Sequence, residues 1–94
     1  VKTAWTLEAR IDRSEIYTRI EDDDPVAALN MDELFEKRAA DLIKHSMLGR
    51  AGRVSGTREL VVHPNYILIY DIAGDTIRIL RVLHAAQHWP SKKH

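Results

Sequence analysis

This 94-residue chain predicts an α+β domain in which an N-terminal helical hairpin precedes a small antiparallel sheet. Three observations carry that reading. Apolar residues recur at helical spacing through the first half: Ala9, Ile16, Tyr17 and Ile20, then Ala28, Met31, Leu34, Phe35, Leu42 and Ile43. From Gly56 to Pro90 the pattern changes to β-branched and aromatic runs, GTRELVVHPNYILIYDIAGDTIRILRVLHAAQHWP, broken at two points by turn-forming residues. A glycine-rich basic stretch, MLGRAGRVSG over 47–56, separates the two halves.

The elements follow in order. Lys2 to Leu7 (KTAWTL) reads as a short strand or extended lead-in. Thr6 suits the N-cap of a helix over 7–22, with Glu8 in its first turn. Arg13 interrupts the apolar stripe and must snorkel to the edge or meet a carboxylate. The run Glu21-Asp22-Asp23-Asp24 stops that helix. Asp24 caps the next one, over 25–46, and Pro25 takes its first position, where a missing N–H costs nothing. The acidic run therefore reads as a stop and a cap, and no metal site is assigned to it. Glu33 with Lys37, and Asp41 with Lys44, are spaced as surface pairs. Gly49 is placed to end the second helix. Strands are expected over 58–62, 66–73 and 76–84, with tight turns at His63-Pro64-Asn65 and Gly74-Asp75. Ser91 to His94 reads as a frayed basic tail.

Composition bounds the function. One domain is expected, with no room for a second core. There is no cysteine, which excludes disulfides and thiolate chemistry. No apolar run approaches a membrane span and no signal-peptide pattern opens the chain, so the reading is cytoplasmic, with no membrane association. The net charge is zero but uneven. Residues 1–48 hold seven Lys/Arg against eleven Asp/Glu, and residues 49–94 hold seven against three. A basic working surface can therefore lie within the second half.

Register arguments sharpen this. A two-residue turn at Gly74-Asp75 places Tyr70 opposite Ile79, Asp71 opposite Arg78 and Leu68 opposite Arg81. The first turn is taken to pair Val62 with Tyr66. Alternation then gives two faces, both largely apolar, while a helical hairpin covers only one. Either Ile67, Ile69, Leu80 and Val82 or the opposite set is expected to remain as an exposed patch for a protein partner, unless His84 to Trp89 folds back as the cover.

In their order and spacing, the two helices, the basic loop, GTREL, PNYILIY, GDTIRILRVLHAA and WP resemble the RelE/ParE superfamily, toxins of bacterial type II toxin–antitoxin modules. PNYILIY and LHAA look like its YafQ branch. The resemblance covers nearly the whole chain. It implies two helices on an antiparallel sheet of about four strands, the N-terminal strand joining the other three. It implies a cognate antitoxin that forms a hetero-oligomer with the chain and binds the patch Ile67, Ile69, Leu80 and Val82. It further implies a toxic activity of one of two kinds. RelE-like members cut mRNA on the ribosome, whereas ParE-like members inhibit DNA gyrase without hydrolysis.

Metal-independent RNA cleavage needs a base for the 2′-OH, an acid for the leaving group, and cations for the phosphorane. His84, His63 and His88 are the candidate acids and bases, Arg81 the candidate phosphorane cation, and Tyr66 an aromatic to stack or orient. His84 matches a histidine of the YafQ-like nucleases through the shared HAA, and Tyr66 an aromatic position there. Asn65 stands where that branch has an acidic residue. Arg50, Arg53, Arg58 and Arg78 are the candidate RNA contacts, since no lysine lies between Lys44 and Lys92. Strict alternation puts Arg81 and His84 on opposite faces unless the strand ends or bulges there. No cofactor or metal is expected. The reading leans toward ribosome-dependent mRNA cleavage, with gyrase inhibition as the alternative.

Overall fold

The computed structural model describes residues 1–90, so the tail expected over 91–94 lies outside it. Strand β1 (Lys2–Trp5) leads into α1 (Leu7–Glu21) and α2 (Pro25–Lys44). Four strands follow: β2 (Arg50–Ala51), β3 (Arg58–His63), β4 (Tyr66–Ala73) and β5 (Thr76–His84). They form one five-stranded sheet in the order β1-β5-β4-β3-β2. The sheet is mixed, not purely antiparallel, because β1 runs parallel to β5, from Lys2 opposite Thr76 to Trp5 opposite Ile79. The short β2 is the strand beyond the four expected.

Both caps form. Thr6 Oγ1 accepts from the Ala9 N–H at 3.1 Å and donates to the Leu80 carbonyl at 2.9 Å, so one hydroxyl starts α1 and ties it to β5. Asp24 Oδ1 accepts from the Ala27 N–H at 3.1 Å. Arg13 takes the carboxylate option: it bonds Asp32 and Glu36 on α2 and lies 4.4 Å over the Trp5 ring. On α2, Asp41 pairs with Arg38 and not with Lys44.

Gly49 does not cap α2, which ends at Lys44 with His45 as its cap. Gly49 is instead buried against Tyr70. A Cβ there would lie 2.7 Å from the tyrosine ring and 2.8 Å from the Glu59 carbonyl oxygen. The Tyr70 hydroxyl accepts from the Gly49 N–H at 2.9 Å and donates to the Ser46 carbonyl at 2.7 Å. The glycine is there for close approach.

The turn at Gly74-Asp75 forms as expected, with Ala73 opposite Thr76 and Gly74 at a φ of 60°. The register past it shifts. Tyr70 faces Ile79, but Ile69 faces Arg81 and Leu68 faces Val82, which leaves Leu80 as an extra residue. A second irregularity leaves Val62 unmatched, so His63, not Val62, faces Tyr66.

The Leu80 bulge exchanges the faces of the residues beyond it. Val82 joins the helix-side core with Leu60, Tyr66, Leu68, Tyr70, Ile77 and Ile79, against Ala9, Ile16, Phe35, Ala39 and Leu42. Leu83 moves to the outer face, where it packs with Ile67, Ile69, Leu80 and Trp89. The expected exposed patch is therefore absent. Ile67, Ile69 and Val82 are buried, Leu80 is half-buried, and Val82 is on the other side of the sheet.

Two loops cover the outer face. Glu59 on β3 points into it and is only 3% exposed. Its carboxylate accepts from the Arg53 backbone N–H at 2.9 Å and from Arg53 Nε at 3.1 Å. Arg53 then donates from Nη1 to the Gln87 carbonyl at 3.4 Å. That joins the 50–57 loop to the segment carrying Trp89. Burial pushes the Glu59 carboxyl up, and the Arg53 hydrogen bonds more than offset it, so it titrates below the ordinary glutamate value. No helix among the described residues is long and apolar enough to cross a membrane.

Candidate functional site

The paired ends of β4 and β5 meet α1 in a polar cleft of about 150 Å³. Tyr66, Arg81, His84 and Gln87 line it from the sheet side, and Asp12, Glu15 and Arg19 from α1. Tyr66 sits opposite His84 in the ladder. Its ring lies 5.7 Å from that of His84, 6.0 Å from that of His63 and 5.7 Å from Phe35. The convergence of His63, Tyr66 and His84 at one end of the sheet holds. His88 is exposed and does not line the cleft.

The alternation conflict is resolved by the reach of the Arg81 side chain to α1. Arg81 and His84 keep ladder partners on opposite faces, Ile69 and Tyr66, yet both line the cleft, because the Arg81 side chain, next to the bulge, reaches Asp12 on α1. Each histidine is held in the same way. His63 Nδ1 accepts from the Asn65 N–H at 3.1 Å, and His84 Nδ1 accepts from the Ala86 N–H at 3.1 Å. A neutral imidazole whose Nδ1 accepts carries its proton on Nε2. Both rings can therefore donate from Nε2, and neither offers a free nitrogen lone pair to take a proton.

Arg81 is not free either. Its Nε and Nη2 donate to the two Asp12 oxygens at 2.7 and 3.0 Å, and Asp12 also accepts from the Val82 N–H at 2.9 Å. This bidentate pair raises the Arg81 pKa above its ordinary value, against a smaller opposing effect of burial. It fastens α1 to the bulge. Arg19 and Gln87 are cleft residues that the sequence reading did not single out. Gln87 Oε1 accepts from the His84 N–H at 3.3 Å. Helical spacing from Asp12 through Glu15 to Arg19 puts these residues on one side of α1, and that is the signal that would have found them.

The four arginines expected to contact RNA do not gather here. Arg53 and Arg50 bond Glu59, and Arg78 bonds Asp71 through Nε at 2.7 Å. Arg58 donates to the carbonyls of Gly49 and Met47. Two carboxylates and two guanidiniums face the cleft, which leaves it without a net basic charge.

Known proteins place the chain. The family of the ParE toxin of the type II toxin–antitoxin system, parDE, matches residues 4–89. "Putative toxin Y4kP" of Sinorhizobium fredii is 41% identical over 87 residues, 92% of this chain and 90% of that protein. "Toxin RelE2" of Caulobacter vibrioides is 33% identical, over 92% of this chain and 97% of that one. Among solved structures, the chromosomal ParDE system from P. aeruginosa superposes with a TM-score of 0.77 at 24% identity, covering 88% of this chain and 92% of that one. The RelBE2 toxin–antitoxin complex of Mycobacterium tuberculosis superposes with a TM-score of 0.66 at 26% identity, covering 88% and 95%. With the matched family spanning both helices, strands β2 to β5 and the end of β1, the chain belongs to the ParE toxin family of type II toxin–antitoxin systems.

Proposed function

We propose that this toxin arrests growth by binding DNA gyrase and inhibiting it without hydrolysis, in the cytoplasm, under the control of a cognate antitoxin. The observation that carries the reading is the closure of Arg81 by Asp12. The guanidinium expected to hold a phosphorane is spent on a structural bond, and Glu15 adds a second carboxylate to the same cleft. Such a lining offers a phosphodiester no net positive charge, and the Nδ1 bonds of His63 and His84 occupy the lone pairs an imidazole base would use. The ParE family match supports the same side of the superfamily.

A second reading, ribosome-dependent mRNA cleavage, is favoured by one observation. His84 presents an Nε2 proton beside Arg19 and Tyr66, with Glu15 in the same cleft as the proton acceptor. One experiment separates the two. The chain is expressed without its antitoxin, supercoiling by purified gyrase is assayed, and mRNA 5′ ends are mapped. Gyrase inhibition with intact mRNA, unchanged in His84→Ala, is the expected result. Codon-linked cuts that disappear in His84→Ala, with gyrase active, would replace this reading by the second.

A further inference from the structure

Residues 85–89 leave the end of β5 beside the cleft and finish on the outer cluster, where Trp89 packs against Ile67, Ile69, Leu80 and Leu83. Ala85, Ala86, Gln87 and His88 are exposed, so burial does not fix their path. A few tethers do. The Ala85 N–H donates to the Asn65 carbonyl at 2.7 Å, and the Gln87 N–H to the His84 carbonyl at 2.9 Å. From the 50–57 loop, Arg53 Nη1 donates to the Gln87 carbonyl at 3.4 Å, and the Trp89 ring anchors the far end. Arg53 is itself fixed by Glu59, which is buried and accepts from both its backbone N–H and its Nε.

The segment held in this way makes two contacts with His84. The Ala86 N–H donates to His84 Nδ1 at 3.1 Å, and Gln87 Oε1 accepts from the His84 N–H at 3.3 Å. Gln87 also lines the cleft. His63 provides the contrast. Its Nδ1 accepts from the Asn65 N–H at the same distance, but within the tight turn between β3 and β4. Arg53 donates to Glu59 and Gln87 and not to that turn. One imidazole is therefore oriented by its own turn, and the other by a segment whose anchors lie on the outer face of the sheet.

We propose that Arg53 and Trp89 are positioning residues for the cleft. Acting through Gln87, they hold residues 85–87 so that the Ala86 N–H occupies His84 Nδ1 and the Nε2 proton is presented to the cleft. The donor state of His84 is thereby set from the outer face, through the buried Glu59, and not from α1. Neither gyrase nor mRNA enters the measurement that tests this, so its outcome is separate from the choice between those targets.

The ¹⁵N-labelled chain is studied at about pH 8, above the ordinary imidazole range, by long-range ¹H–¹⁵N correlation of the histidine rings. In the parent chain His63 and His84 should both carry the proton on Nε2. Arg53→Lys keeps a cation beside Glu59 but lacks the fork that reaches Glu59 and Gln87 together. In Arg53→Lys, and separately in Trp89→Ala, the His84 ring should move toward the tautomer mixture of a free imidazole. Exchange of the Ala86 amide should rise about tenfold in both, while the His63 ring and the Asn65 amide stay as in the parent. An unchanged His84 ring in either variant would overturn the proposal. So would equal movement of His63 and His84, which a general loosening of the fold produces, or a parent His84 with its proton on Nδ1.

Discussion

The two faces of the sheet are closed by different physics. On the helix side, Leu68, Tyr70, Ile77 and Ile79 are fully covered by α1 and α2, and dispersion and hydrophobic burial hold them. On the outer side a smaller cluster, Ile67, Ile69 and Leu83 with Leu80 and Trp89, is covered by two loops. Those loops meet through one buried carboxylate, Glu59, and one arginine, Arg53. A helix pair brings enough apolar surface to cover a sheet by itself. A short loop does not, and here a charge pair fastens the cover.

Five substitutions would break or sharpen that contrast. Leu68→Ala, on the helix side, should cost the most, about 3 kcal/mol in denaturant unfolding, with no special dependence on pH. Arg53→Met should cost less, about 2 kcal/mol, because it leaves the Glu59 carboxylate buried with Arg50 alone. It should also speed amide exchange from Ala85 to Trp89, which Leu68→Ala should not do selectively.

Next is pH. The Glu59 pKa is depressed on folding, so the stability it contributes is present above the ordinary glutamate value and is lost as pH falls through the lower folded value. Glu59→Gln should therefore lose less stability than the parent chain on acidification below about pH 5. Leu68→Ala should keep the parent slope. Trp89→Ala should cost about 1 kcal/mol, since the ring is half-buried over the outer cluster. Val61→Thr, at an exposed position on the outer rim, should stay within about 0.5 kcal/mol. A Trp89→Ala cost equal to that of Leu68→Ala would mean that the outer face is as tightly packed as the inner one.

Much of the fold was legible because its signals are local. Thr6 and Asp24 cap their helices through bonds to residues three positions on. The Gly74-Asp75 turn needs a positive φ at its glycine and has it. The pairing of Tyr70 with Ile79 and Asp71 with Arg78 follows from that turn. His63 meets Tyr66 across the Pro64-Asn65 turn, and His84 meets Tyr66 through the β4–β5 ladder after its one-residue shift.

The departure with the widest consequences lies at Leu80. Around it apolar residues fall at both odd and even positions, Ile79 and Leu83 against Leu80 and Val82, so an alternating pattern fits equally well with or without an extra residue. The bulge there moved Val82 inward and Leu83 outward, which broke up the expected partner patch, and it set His84 in place of Leu83 opposite Tyr66.

Helix positions, caps and tight turns rest on neighbours a few residues apart, and a linear pattern contains those neighbours. The face on which Val82 lies, the spending of Arg81 on Asp12 across 69 residues of chain, and the cover drawn over Ile67 and Ile69 through Arg53 and Gln87 rest on long-range contacts. Such contacts compete with equally apolar or equally charged alternatives. Which of them wins depends on close packing of the whole chain, and it is decided only when the helices and loops settle onto the sheet.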